Sequence, residues 1–169
     1  MLIVSDTGPL RYLCEIGHVD VLPEMYGQLI TTPQVLRELK QRHFPPAVSQ
    51  WADAPPTWLL IEYPTRIDYR DQLDEGEASA ISLALQRHAD AVLIDERHGT
   101  NLARSLGIPT LGTLAVLHDA GIAGLIDFHA AIRRLTDETQ FRHSKALINQ
   151  VIADFDAEVQ RQTKREKPH

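Results

Sequence analysis

Cysteine is almost absent: Cys14 is the only one in 169 residues. No disulfide framework can form within the chain, which excludes the small disulfide-stapled classes and suits a reducing compartment. Cys14 lies in an apolar helical stretch (PLRYLCEIG) and reads as a small buried hydrophobe. Long hydrophobic runs are missing too. The apolar start MLIV is interrupted at Asp6, so no signal-peptide core forms, and nothing approaches the ~18 apolar residues of a membrane span. A cytoplasmic protein is expected. There is no basic excess either: 17 Lys and Arg stand against 23 Asp and Glu, a formal charge of −6. That excludes a generic DNA coater, whose affinity comes from a basic surface. An acidic cation-loading pocket, by contrast, lowers net charge in just this way.

Several catalytic patterns are also lacking. There is no Walker loop and no HExxH, and the eight histidines are scattered without a ligand-spaced pair. Ser5 and Ser79 have no His and Asp partners in motif spacing. Asp6-Thr7-Gly8 spells the aspartic-protease triplet, but it stands in a chain that alternates strand and helix. A phosphatase-like use of Asp6 would want a second Asp at position 8, which is Gly.

What the chain does have is that alternation. Strands are predicted at 2–5, 29–31, 58–62, 91–95 and 108–111. Helices are predicted at 9–16, 19–26, from Pro33 with Thr32 as N-cap, at 47–53, from Glu77 onward, at 99–106, from Thr113, and through 124–163. Gly8-Pro9 reads as the end of the first strand, and Pro45-Pro46 as the stop of the third helix. Ala78, Ile81, Ala84 and Leu85 form the expected inner stripe of the helix after Asp74. Leu147, Val151 and Phe155 form one near the C-terminus. The fold class is α/β: a single three-layer domain with a central parallel sheet flanked by helices and a C-terminal helical extension. The expected organisation is a domain at 1–125, the extension at 126–163 packed on it, and a tail at 164–169.

Four carboxylates stand on this frame. Asp6 and Asp95 follow apolar strands, Glu38 lies in a helix, and Glu77 opens one. Ligands of open α/β sheets sit beyond the carboxyl ends of the strands, where Asp6 and Asp95 fall. Each acid also has a plain structural reading: a helix cap for Asp6, a helix-start acid for Glu77, a surface glutamate for Glu38. Asp74 and Glu75 compete for the helix-start role and are expected to face solvent, and Glu96 is a further candidate. If the four converge, they repel one another unless a cation joins them, and hard oxygen donors without Cys or His select Mg²⁺ or Mn²⁺. Cutting phosphodiesters is the natural chemistry of such a site. Thr7 and Thr113 could hold a water or a phosphate oxygen, or cap helices. Arg97 and Arg104 could grip a phosphate with their planar forks. His98 is the histidine nearest the site and reads as a loop residue. Arg133, Arg134, Lys164, Arg165 and Lys167 could steer RNA, or simply be solvated.

The segments LIVSDTGPL (2–10), TTPQVLREL (31–39), LDEGEASAISLAL (73–85) and AVLIDERHGTNLARSLGIPTLGTLAVL (91–117) resemble the PIN-domain superfamily of Mg²⁺-dependent ribonucleases. The last two look most like a prokaryotic branch of it. The resemblance covers about residues 1–120. It implies a central parallel sheet and an acidic site for one or two divalent ions, with Asp6, Glu38, Glu77 and Asp95 as the acids. Glu77 stands where many relatives have Asp. The implied activity is a Mg²⁺- or Mn²⁺-dependent endoribonuclease acting on RNA, the toxin half of a toxin–antitoxin pair is an implied role, and an antitoxin and a homodimer are implied partners. The alternative is a catalytically degenerate nucleic-acid-binding or scaffold protein, which the Glu at 77 keeps open.

Overall fold

The computed structural model describes residues 1–166. Lys167 and the rest of the expected tail to His169 lie outside the described residues. Packing divides the chain into two compact units, Met1–Thr113 and the segment from Leu114.

In the first unit, five short apolar runs form β1 (Ile3–Ser5), β2 (Leu29–Thr31), β3 (Leu59–Ile61), β4 (Ala91–Leu93) and β5 (Thr110–Leu111). They make one parallel sheet in the order β3-β2-β1-β4-β5. β1 is central: Ile3 faces Leu29 on one side and Ala91 on the other. β1, β2 and β4 are buried along their whole length. Strands covered on both faces read as unbroken apolar runs rather than alternating ones, which is how this sequence reads. At the β3 edge, Leu60 remains partly exposed.

Helices α1 (Thr7–Glu15), α2 (Val21–Tyr26), α3 (Pro33–Leu39), α4 (Pro46–Asp53), α5 (Glu75–Gln86) and α6 (Arg97–Ser105) accompany the sheet. The α/β class is as expected, but several boundaries differ. α1 starts at Thr7, so Gly8-Pro9 lie inside its first turn, where a missing proline N–H breaks no helical bond. α6 starts at Arg97, so His98 is helical and not in a loop. α3 ends at Leu39, well before Pro45-Pro46, and Pro46 opens α4. The stripe expected on α5 is instead a collar: every residue from Gly76 to Ala84 is buried, and Leu85 is only half-buried. α5 packs on β1 and β4 and also against α3 and α6. Its Gly, Ala and Ser side chains let backbones approach on all sides.

The order of the strands determines where a ligand can go. The chain runs outward from β1 to β2 and β3, then returns across the sheet to β4 and β5. The crevice beyond the carboxyl ends of β1 and β4 is therefore the topological switch point. Asp6 directly follows β1, and Asp95 lies just beyond β4. The Asp6 amide donates to the Leu93 carbonyl at 2.9 Å, which holds the two strand ends together.

α7 (Thr113–Ile122) leads into the second unit, which holds α8 (Phe128–Glu138) and α9 (Lys145–Glu166). The helical run expected at 124–163 is thus two helices. Thr139 ends α8: its hydroxyl donates to the Leu135 carbonyl at 2.6 Å and accepts from the Phe141 amide at 3.1 Å. Lys164 and Arg165 belong to the last turn of α9. Of the stripe expected there, Phe155 is buried and Leu147 is 45% exposed. Phe155 stacks on Phe128 with ring centroids 4.0 Å apart. Among the described residues no helix is long and apolar enough to cross a membrane.

Gly121 fits under that ring pair. A Cβ there would stand 2.7 Å from Phe128 Cβ and 2.8 Å from Phe155 Cε2. Alanine has the better helix propensity, but neither atom can yield without moving α8 or the ring stack. Gly121→Ala is expected to destabilise the chain by about 1–3 kcal/mol in urea unfolding. An unchanged or higher midpoint would contradict this packing.

Candidate active site

Each acid is placed by a local structural feature. Asp6 occupies the N-cap position of α1, yet makes no side-chain capping bond. The residue is 3% exposed, and Oδ1 has no hydrogen-bond partner. Glu77 does not cap α5 either, because Asp74 does so by accepting from the Glu77 amide at 2.8 Å. Glu77 is 5% exposed, and its Oε1 is likewise unpartnered. A buried acceptor left unpaired costs about 1–3 kcal/mol, more if charged. The plain capping reading therefore does not account for Asp6 or Glu77.

Glu38 and Asp95 are held differently. Glu38, half-buried at the end of α3, bridges two helices: Oε2 accepts from the Thr7 hydroxyl of α1, and Oε1 from the Gly76 amide of α5 at 3.1 Å. Gly76 leaves room for it, since a Cβ there would stand 2.8 Å from Glu38 Oε1. Asp95 accepts twice from Thr113, from the amide at 2.7 Å and the hydroxyl at 2.6 Å. Gly8 and Gly112 cradle it, for a Cβ at either would come within 3.2 Å or 3.0 Å of its carboxylate oxygens. A buried hydroxyl chain sets α3 against α5. The Thr32 hydroxyl accepts from the Val35 amide and bonds Ser79 at 2.7 Å, while the Ser79 hydroxyl donates to the Gly76 carbonyl at 2.8 Å.

The charges feel one another. Burial raises the Asp6 carboxyl well above the usual range; the Thr7 amide pulls it back, and the charges of Glu77, Asp74 and Glu38 push it further up. Glu77 is pushed up to about 7, first by burial and then by Asp74, with Glu96 and Glu38 adding to it. Burial also raises Glu38 against the Thr7 hydroxyl, and Asp95 against its two bonds from Thr113.

Asp74 is the acid that sequence reasoning set aside. It is exposed as expected, yet it caps α5, and its charge reaches Asp6, Glu38 and Glu77. The signal was the Asp74-x-x-Glu77 spacing of a capping box. Glu96 is exposed at the N-cap of α6. The structure separates the two arginines: Arg97 opens α6 and lines a surface cavity, whereas Arg104 donates to the Thr110 hydroxyl of β5 at 2.9 Å. The Thr7 and Thr113 hydroxyls both donate to carboxylates.

Among the described residues no group of three or more His, Cys, Asp or Glu side chains is arranged to hold a metal ion. Glu38 and Asp95 are each engaged by protein donors. The two orphaned oxygens of Asp6 and Glu77, in a site of hard oxygen donors, do fit a small dication that retains its own waters.

A family model described as a PIN domain matches residues 2–157. No curated protein is similar enough to the chain to count as a match.

The raised Glu77 carboxyl makes stability depend on pH. Between its ordinary 4.5 and about 7, the unfolded chain has lost this proton while the folded chain keeps it. Stability therefore falls as pH rises through that window, and the full cost holds above it. A displacement of that size corresponds to roughly 3 kcal/mol at most. Glu77→Gln keeps the shape and removes the cost. With chelator present, its melting temperature at about pH 8 is expected to exceed that of the wild type, and the gap to close near pH 4. A variant that melts at or below the wild type at about pH 8 would contradict the repulsion.

Proposed function

The chain belongs to the PIN-domain family, and on that premise we propose that it is a Mg²⁺- or Mn²⁺-dependent endoribonuclease that hydrolyses RNA phosphodiesters. PIN domains are generally nucleases, so the coarse class follows from the family. The observation that carries the finer reading is the pair of buried, unpartnered carboxylate oxygens, Asp6 Oδ1 and Glu77 Oε1, at the switch point of the sheet.

Asp6, Glu38, Glu77 and Asp95 would hold the cation. Bound there, a Mg²⁺ or Mn²⁺ lowers the pKa of a coordinated water and supplies positive charge opposite the phosphate being cut. The chain's own residues do the rest. Glu77, whose carboxyl burial pushes up to about 7, would give up its proton. Thr7 and the Gly76 amide fix the Glu38 carboxylate, and Thr113 fixes Asp95. Arg97 grips a substrate phosphate, with Arg104 and the hydroxyls of Thr7 and Thr113 as further substrate contacts. The nuclease function is assigned to residues 1–125, with 126–163 as a helical extension.

The finer biological assignment, the toxin of a toxin–antitoxin pair acting on cytoplasmic RNA, rests on the family resemblance. An antitoxin would be a partner that places a cationic side chain among these acids. Exposed Leu147 and Val159 on α9 are compatible with a homodimer face. One observation favours the alternative, a non-cleaving nucleic-acid-binding or scaffold protein: no three ligand side chains are gathered among the described residues.

Incubation with single-stranded and structured RNA separates the two readings. Cleavage is expected with Mg²⁺ or Mn²⁺ and not with chelator. Asp6→Asn and Asp95→Asn are expected to lower the rate at least about a hundredfold while the fold survives. RNA binding without cleavage under either ion would favour the scaffold. Loss of the fold in Asp6→Asn would make that residue a structural one.

A further inference from the structure

A surface cavity of about 420 Å³ is lined by Gln72, Arg97, His98, Asn101, Leu102 and Ser105. It has the size of a small-ligand pocket. His98, Asn101, Leu102 and Ser105 follow helical spacing and form one face of α6. Gln72 joins the lining from the loop before α5. A turn with Tyr69 in the left-handed region fixes that loop, and its carbonyl accepts from the Gln72 amide at 3.0 Å. The cavity shares two segments with the acidic site. Arg97 follows Asp95 and Glu96 directly, and Gln72 precedes Asp74 by two residues. Gly99, in the first turn of α6, lies against Glu77: a Cβ there would stand 3.5 Å from its Oε1.

Two features mark the cavity as a binding site. First, Gln72, Arg97, His98 and Asn101 are exposed, line one concavity, and among the described residues their side chains make no hydrogen bond or ion pair with the protein. Their donors and acceptors remain available to a ligand. Second, α6 opens with Arg97, and a cation at a helix N-terminus opposes the helix dipole. A local choice that works against the fold is characteristic of functional positions.

We propose that this cavity is a nucleotide-reading subsite. It takes one unpaired RNA nucleotide next to the phosphate being cut, so it rests on the nuclease reading above. Arg97 binds the flanking phosphate through its planar fork. The Gln72 and Asn101 amides each offer a donor beside an acceptor, the pattern that reads a base edge. Leu102 gives the base an apolar seat, and the His98 ring can stack on it. A duplex would not serve, because A-form RNA keeps its base edges where such side chains cannot reach them. The subsite confers base preference at one position beside the cut.

The test uses the full chain and fluorescein-labelled single-stranded RNA oligonucleotides that differ at one position. Anisotropy is read with chelator, and cleavage with Mn²⁺. Gln72→Ala and Asn101→Ala are each expected to weaken binding of the best oligonucleotide about tenfold, flatten the base preference, and raise KM by a similar factor with kcat nearly kept. Filling the cavity with Ser105→Trp should do the same. Cleavage with wild-type KM and preference in the double variant overturns the subsite and leaves the nuclease reading intact. Binding with an Asn101-dependent preference but no cleavage overturns the nuclease reading and keeps the subsite. A wild-type chain that neither binds nor cuts RNA overturns both.

Discussion

Like charges held out of water dominate this molecule. Asp6 and Glu77 are nearly inaccessible, each carries an oxygen without a partner, and Asp74 and Glu38 press on both. Folding alone gives no reason for such an arrangement, since it opposes stability at neutral pH. A fold keeps a cost of this kind where a ligand repays it, and a cation is the ligand that this donor set fits.

The rest of the first unit keeps that repulsion from scattering the acids. The parallel sheet brings the ends of β1 and β4 side by side. Glu38 ties α1 to α5 by accepting from both. The buried hydroxyls of Thr32 and Ser79 align α3 with α5. Glycines at 8, 76 and 112 supply the space that the carboxylates occupy. Most of these positions lie at or near the end of an element, where a backbone amide or a small residue is free to serve the site. The same helix start that approaches Glu77 also carries the cavity face of α6, so the proposed chemistry and base reading share one rigid element.

Much of this was legible in the sequence. The five strands were visible because strands buried on both faces read as short apolar runs between turn residues. Asp6 and Asp95 were visible because an acid ending such a run falls at the sheet's carboxyl edge. Strand order was not legible, since a local pattern does not say which neighbour a strand will take. The start of α1 was hidden by Gly8-Pro9, which looks like a stop and is tolerated in a first turn. The break between α8 and α9 was hidden because it rests on the Thr139 hydroxyl and not on a Gly or Pro. Asp74 was passed over because a capping acid looks purely local, and its reach to Asp6 and Glu38 exists only in three dimensions.

The central claim is that a dication offsets the repulsion and burial cost of these carboxyls. It is tested most directly by calorimetric titration of Mn²⁺ into the full chain near pH 6, in two buffers of different ionisation enthalpy. Displacing the proton of Glu77, whose carboxyl is pushed up to about 7, predicts saturable binding whose heat depends on the buffer, and loss of that dependence with loss of binding in Asp6→Asn. Binding with the same heat in both buffers, or no binding at all, would contradict it.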